Sequence, residues 1–335
     1  MQYCFQHVKG SCPKAQRVVI FKAVIYVIMV GTIVVAVCGN IMVIISISHF
    51  KQLHSPTNFL ILSLACVDCF LGAFIMPYSM IRSVETCWYF GEMFCKIHSS
   101  FDMMMSTASI LHLGFIAIDR YYAICEPLRY RSKITMSIIT IFISITWIVS
   151  LGFGFGVIYS KVNLEGIEGF VILNHCVGTC FVILNKMWGL LGPLVSFIIP
   201  GTVMIFLYIR IFVVARRHAK VIDKILSKPS NHDIAENRER KAAKTLGIVM
   251  GVFLLCWLPF FITIIIDPFI NFSTPIILFD TLMWLGYFNS ACNPIIYGLF
   301  YPWFQKAFKI IITGKVFKKY SSFINLFTEN NYLKK

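Results

Sequence analysis

Charge is scarce along this chain. Asp, Glu, Lys and Arg make up 13% of its 335 residues, against 58% hydrophobic residues and a mean hydropathy of +0.77. A soluble domain does not need that much apolar surface, so the shortage excludes an ordinary globular enzyme and points to repeated membrane helices. Catalytic signatures are missing too: there is no nucleophile elbow, no His-Glu-x-x-His pair and no phosphate-cradling glycine loop. Internal repeats, low-complexity tracts and Pro/Gly-rich linkers are also absent, so nothing divides the chain into separate domains. Acidic residues are the scarcer sign, 15 against 30 basic ones, for a net charge of +15. No basic stripe lies on a soluble surface, so this excess argues for anionic lipid and against a nucleic-acid partner.

What is present is a series of long apolar runs, near 22–48, 57–81, 94–118, 136–158, 187–214, 245–266 and 275–300. Each is long enough to span a bilayer as a helix. Lys and Arg crowd at Lys51, Arg129–Lys133, Arg210–Lys244 and Lys306–Lys335 but are scattered on the opposite side, as at Lys14, Arg82 and Lys186. The positive-inside rule puts the dense set in the cytoplasm and the N-terminus outside. The expectation is an all-α membrane protein: a segment 1–21 outside, a membrane domain 22–300, and a tail 301–335. In that tail, Pro302–Ile311 sets aromatic and aliphatic residues against lysines, the pattern of a short amphipathic eighth helix on the inner interface. Cys4, Cys12, Cys87, Cys95, Cys176 and Cys180 all fall on the outer side, where disulfides form, and six cysteines leave fifteen pairings open.

Ionisable and polar residues inside the runs carry the functional argument. Asp102 and Arg120 lie eighteen residues apart, about five helical turns, on one face of one rod roughly 27 Å long. Asp102, Ser106, Ser109 and Ile110 share a helical face. Asp68 sits mid-span, where Ser109, Asn289 and Asn293 can share an oxygen-rich cage suited to a small cation or a proton. A carboxyl kept neutral by its hydrogen bonds explains Asp68 equally well. Phe253, Trp257, Phe260, Phe261 and Ile264 form a stripe that alone reads as core packing, but Pro259 bends its helix at a defined place. If this face and that of Trp284 and Tyr287 converge on Asp102, the result is a carboxylate in an aromatic box, suited to an ammonium group. At the other end Arg120 has Asp119 beside it and Glu239 as a candidate partner across two helix ends.

These residues, in this order, resemble a rhodopsin-like (class A) G-protein-coupled receptor over nearly the whole chain. The matches include Gly39-Asn40, Leu64-Ala65-Cys66-Val67-Asp68, Asp119-Arg120-Tyr121, Trp147, Pro200 with Tyr208, Cys256-Trp257-Leu258-Pro259 and Asn293-Pro294-Ile295-Ile296-Tyr297. The stretch from Asn289 to Phe304 is similar to the fingerprint of trace-amine-associated receptors.

The resemblance implies a seven-transmembrane helix bundle at the plasma membrane. Its ligand would be a small monoamine and its partner a heterotrimeric G protein, of the Gs/Golf type, with amine olfaction as one setting. Asp102 would be the amine counter-ion, with Ser106, Phe260, Phe261, Ile264, Trp284 and Tyr287 around it and Trp257 as the switch beneath. Asp68, Ser109, Asn289 and Asn293 would hold an allosteric sodium ion, with no other cofactor. Ile110, Pro200 and Phe253 would form a packing switch, and Asp119, Arg120, Tyr121, Tyr208, Glu239 and Tyr297 the G-protein-facing groups. The implied disulfides are Cys95–Cys180, Cys4–Cys176 and Cys12–Cys87. The N-terminal glycosylation sequon of the family is missing, leaving Asn271-Phe272-Ser273. In the fifth run, Gly192 and Pro193 replace the serines of catechol-binding relatives, leaving Ser196, and no second acid supports a diamine. A neurotransmitter-type aminergic receptor is the neighbouring alternative. A cation-coupled transporter is the remote one, and the chain lacks that class's paired inverted halves.

Overall fold

The computed structural model describes residues 2–225 and 231–327, and for 218–225 and 231–246 it describes the backbone alone. Helices dominate, and the described residues form only two isolated β-bridges. Among the described residues, six helices are long and apolar enough to cross a membrane: α1 (Val19–His49), α2 (Pro56–Glu85), α3 (Glu92–Cys125), α4 (Met136–Ser160), α5 (Lys186–Arg217) and α6 (Asn231–Ile266), whose apolar stretch starts at Gly247 and continues through a 3-10 turn to Phe269. A seventh, α7 (Ile276–Phe300), is 25 residues long but less apolar, because Asp280, Asn289, Ser290 and Asn293 are buried along it. The last helix, α8 (Pro302–Ile312), buries Phe304, Ala307 and Ile310 on one face and exposes Lys309 on another.

Helix starts follow local chemistry. Ser55, Thr135 and Asn185 each accept a backbone N–H from three residues on, at 3.3, 3.4 and 2.9 Å, which satisfies one of the orphan donors of a first turn. Proline shapes two interiors. Pro77 and Pro200 lack the N–H that would reach back to Ala73 and Ser196, and the helix widens to a π turn over Leu71–Ile75 and Leu194–Ile198. A third π turn, Gly152–Gly156, contains no proline. There Gly154 lets α4 press on α3: a Cβ would lie 2.5 Å from the Ser100 carbonyl oxygen and 2.8 Å from Met104 Cβ. Gly154→Leu is therefore expected to destabilise the protein by about 1–3 kcal/mol through overpacking. A thermal unfolding midpoint unchanged from wild type would contradict this close approach.

Large apolar side chains on the outer surface remain exposed, among them Val27, Ile148, Leu255 and Leu299. Such a belt fits a lipid surround rather than water. Inside, polar groups tie the helices together. His112 Nδ1 lies 2.7 Å from the Ala108 carbonyl, so it carries the proton, and Nε2 accepts from Ser63 Oγ at 2.7 Å. Ser63 Oγ in turn accepts the Trp147 indole N–H at 3.2 Å, joining α2, α3 and α4.

The disulfides correct part of the expected pairing. Cys95 bonds Cys180, but Cys4 bonds Cys87 and Cys12 bonds Cys176, in place of Cys4–Cys176 and Cys12–Cys87. Strand register decides this. Cys12 donates its N–H to the Val177 carbonyl at 2.9 Å, and Val177 donates to Gly10 at 2.8 Å, so Cys12 runs beside Cys176. Cys4 lies across the N-terminal hairpin, donating to the Cys12 carbonyl at 2.9 Å, and reaches the end of α2. Lys14 and Lys22 pin the same segment to Glu85 at 2.8 and 2.9 Å. Hydrogen bonds to Glu85 and Tyr89 raise the Lys14 ammonium above its ordinary pKa of 10.5.

Candidate ligand cavity and relay

A cavity of about 450 Å³ opens at the end of the bundle that holds the disulfides. Asp102, Ser106, Trp257, Phe260, Phe261, Ile264 and Tyr287 all line it. Asp102 is half-buried and has no cationic partner within salt-bridge distance among the described residues. The Tyr287 hydroxyl donates to its Oδ2 at 2.6 Å, and Ser106 Oγ approaches Oδ1 at 3.5 Å. Asp102 is thus a localised negative charge held against an aromatic wall. Trp257 and Phe260 meet edge to face with centroids 6.1 Å apart, and Phe261 stacks on Phe197 at 4.4 Å. Gly286 leaves room for Trp257, since a Cβ there would sit 2.7 Å from the indole.

One expected lining residue is elsewhere. Trp284 does not face the cavity; its indole N–H donates to Ser83 Oγ at 3.2 Å, and its ring backs Tyr287 edge to face at 5.4 Å. The reason is helical phase. Met283 and Tyr287, one turn apart, turn toward the cavity, which rotates Trp284 toward α2. Residues not anticipated as lining include Arg82, Thr107, Met283 and the stretch Phe181–Leu184. The proximity of Phe181–Leu184 to Cys180 was their only sequence signal, because the Cys95–Cys180 bond draws the loop over α3. Ser196 lines the cavity as well, but its hydroxyl donates to the Gly192 carbonyl at 2.8 Å within its own helix.

Below the cavity, Asp68 is fully buried. Ser109 and Ser290 donate to its Oδ1 at 3.0 and 2.7 Å, and Asn293 Nδ2 to Oδ2 at 2.7 Å. Ser290 is thus the third donor to Asp68, while the expected Asn289 makes no hydrogen bond to it and its buried Nδ2 has no partner among the described residues. No described cation pairs with Asp68. A carboxylate and two rotatable hydroxyl oxygens make a hard-oxygen set that fits a monovalent cation. Ile110 and Phe253 are fully buried in the adjoining core, and Pro200 is buried facing Gly114.

At the opposite end Arg120 turns inward. Its Nη2 lies 2.6 Å from Asp119 Oδ2, its Nε donates to the same oxygen at 2.8 Å, and Nη2 also reaches Thr57 Oγ1 at 2.5 Å. Tyr130 adds a hydrogen bond of 3.0 Å to Asp119 Oδ1. The side chain of Glu239, the expected partner of Arg120, lies outside the described residues. Tyr121 packs with Tyr208 around Ile211, and the Tyr208 hydroxyl presses on Gly247 where no Cβ would fit. Tyr297 is buried and stacks on Phe304 of α8 with centroids 5.8 Å apart. Asn271 is exposed in the tight α6–α7 turn, at φ +55°.

Residues 39–297 match the family model of the 7 transmembrane receptor (rhodopsin family). The chain is 52% identical to mouse trace amine-associated receptor 4 over 96% of its own length and 94% of that relative's. It is 50% identical to zebrafish trace amine-associated receptor 13c over 98% and 96% of the two chains, and 48% identical to macaque trace amine-associated receptor 1 over 99% and 100%. The chain belongs to the trace amine-associated receptor family. It is a class A G-protein-coupled receptor, a multi-pass protein of the plasma membrane and not an enzyme. Its partners are, by class, a small-molecule ligand and a heterotrimeric G protein. In this receptor the aromatic cavity, the Asp68 cluster and the Arg120 network occupy three successive levels along α3.

Proposed function

We propose that this receptor binds a small monoamine with its ammonium at Asp102 and passes the event to a Gs/Golf-type G protein, raising cyclic AMP. The single observation that carries the reading is the uncompensated Asp102 carboxylate, held by Tyr287 in an aromatic cavity. An ammonium there gains a charge-assisted hydrogen bond and cation–π contacts together. The internally bonded Ser196 favours an amine without catechol hydroxyls. The N-terminus and the cavity face outward, α7 is the seventh span, and α8 lies on the inner interface with the tail 301–335 beyond it. Asp68, with Ser109, Ser290 and Asn293, holds a sodium ion whose charge balances the buried carboxylate. Ile110, Pro200 and Phe253 repack as Trp257 moves, and Arg120 leaves Asp119 to meet the G protein alongside Tyr208 and Tyr297. Detection of volatile amines in olfactory tissue fits this ligand class.

A panel of volatile and biogenic amines applied to cells expressing the receptor tests the reading, with cyclic AMP as readout. At least one monoamine is expected to raise it, and silence across the panel at confirmed surface expression would overturn the proposal. Within the panel, Tyr287→Phe removes the 2.6 Å bond that orients Asp102. It is expected to weaken the active amine about tenfold, in keeping with a hydrogen bond to a charged group. An unchanged concentration–response curve would assign Tyr287 to packing alone.

A further inference from the structure

Arg82 is the only Lys or Arg among the described residues lining the cavity, and it is 6% exposed. Its hydrogen bonding is incomplete. Nη1 donates to the Cys180 carbonyl at 3.2 Å, and Nη2 reaches only the Met283 sulfur at 3.4 Å and Asp280 Oδ1 at 3.8 Å. Arg82 Nε and Asp280 Oδ1 both have no hydrogen-bond partner. A purely structural buried ion pair closes tightly and satisfies its donors, because the desolvation cost is otherwise not recovered. This pair is open and charge-balanced, and its guanidinium still has a donor to give. Phe181 covers the guanidinium with its centroid 5.3 Å away. Met283, which touches Arg82, is one turn of α7 from Tyr287, which holds Asp102. Arg82 thus lies about 6 Å along the bundle from the Asp102 level, by the rise of four helical residues.

We propose that Arg82, balanced by Asp280, is a second ligand subsite that receives a neutral hydrogen-bond acceptor, an ether or carbonyl oxygen, at the far end of an amine anchored on Asp102. The inference rests on the amine reading above and deepens it. Charge decides against a carboxylate in that position. With Asp280 beside Arg82, the ammonium neutralises Asp102 and a ligand carboxylate would be an extra buried negative charge. A neutral oxygen gives the under-bonded guanidinium, whose Nη2 reaches only the Met283 sulfur and a distant carboxylate, an acceptor at no such cost.

The test uses full-length receptor in lipid nanodiscs and direct binding of two probe series, ω-methoxyalkylamines and n-alkylamines of matched length. At one chain length the methoxyamine is expected to bind about tenfold more tightly, the effect of one hydrogen bond to a charged donor. In Arg82→Leu the ratio of the two probes' affinities falls to one, whatever the shift in the alkylamine's own affinity from the unpaired Asp280. A methoxy advantage that survives Arg82→Leu, or that is absent in wild type at every length, overturns the subsite. Asp280→Asn offers an independent arm should Arg82→Leu fail to fold. It leaves the guanidinium unbalanced, so an ω-amino acid is expected to gain about tenfold relative to the methoxyamine, and no gain overturns the proposal. Failure of both amine series to bind wild type would instead remove the amine reading, and this subsite with it.

Discussion

Asp102→Ala is expected to abolish amine-evoked cyclic AMP while leaving the receptor at the cell surface. Truncating one partner of a buried, hydrogen-bonded charge pair costs about 2–5 kcal/mol, or roughly thirty-fold to several-thousand-fold in affinity. The free receptor is spared such a cost, because among the described residues Asp102 has no cationic partner to strand, and only the Tyr287 hydroxyl and Ser106 lose an acceptor. Surface labelling together with a cyclic AMP dose series separates the two effects. Retained potency in Asp102→Ala would remove the counter-ion role.

Loss of the Cys95–Cys180 bond is expected to have the next largest effect. This bond anchors the loop whose residues Phe181–Leu184 roof the cavity, and Cys180 supplies the carbonyl that holds Arg82. Replacing both cysteines by serine frees a loop closing 85 residues of sequence, a cross-link of the kind that contributes about 2–4 kcal/mol. Agonist potency is expected to fall at least as far as in Tyr287→Phe, with surface expression reduced. By contrast, removing Cys4 and Cys87 together should leave potency closer to wild type, because that bond ties the N-terminal hairpin to the end of α2 rather than to the cavity roof. Equal potency losses in the two double mutants would contradict this division of labour.

Much of the bundle was legible because bilayer thickness and helical period act directly on the sequence. The apolar runs became helices, most of them within a few residues of their expected outer ends, but at the basic end α3 runs seven residues past 118 to Cys125 and α6 starts at Asn231, fourteen residues before 245. Asp102, Ser106 and the α6 stripe were legible for the same reason: spacing along one rod fixes a face. What escaped depends on how rods are rotated and how loops fold back. Trp284 and Met283 are neighbours in sequence, and only the phase of α7 decides which one meets the ligand cavity. By the same one-residue rotation Ser290, and not its neighbour Asn289, donates to Asp68. Arg82 read as a scattered outer charge, and only the turn of α2 around Pro77 folds it inward over the cavity. Cysteine pairing hung on the register between the N-terminal hairpin and Val177, contacts far apart in sequence that no local pattern encodes.

The central claim is that the cavity recognises a positive charge at Asp102. The most direct measurement is calorimetric titration of the purified receptor in nanodiscs with an active amine and with its neutral isostere, the alcohol of the same carbon skeleton. The account predicts saturable binding of the amine, at least a hundredfold weaker binding of the alcohol, and loss of that preference in Asp102→Asn, as expected of a buried charge pair. Equal binding of amine and alcohol to wild type, or an amine preference that persists in Asp102→Asn, would contradict it.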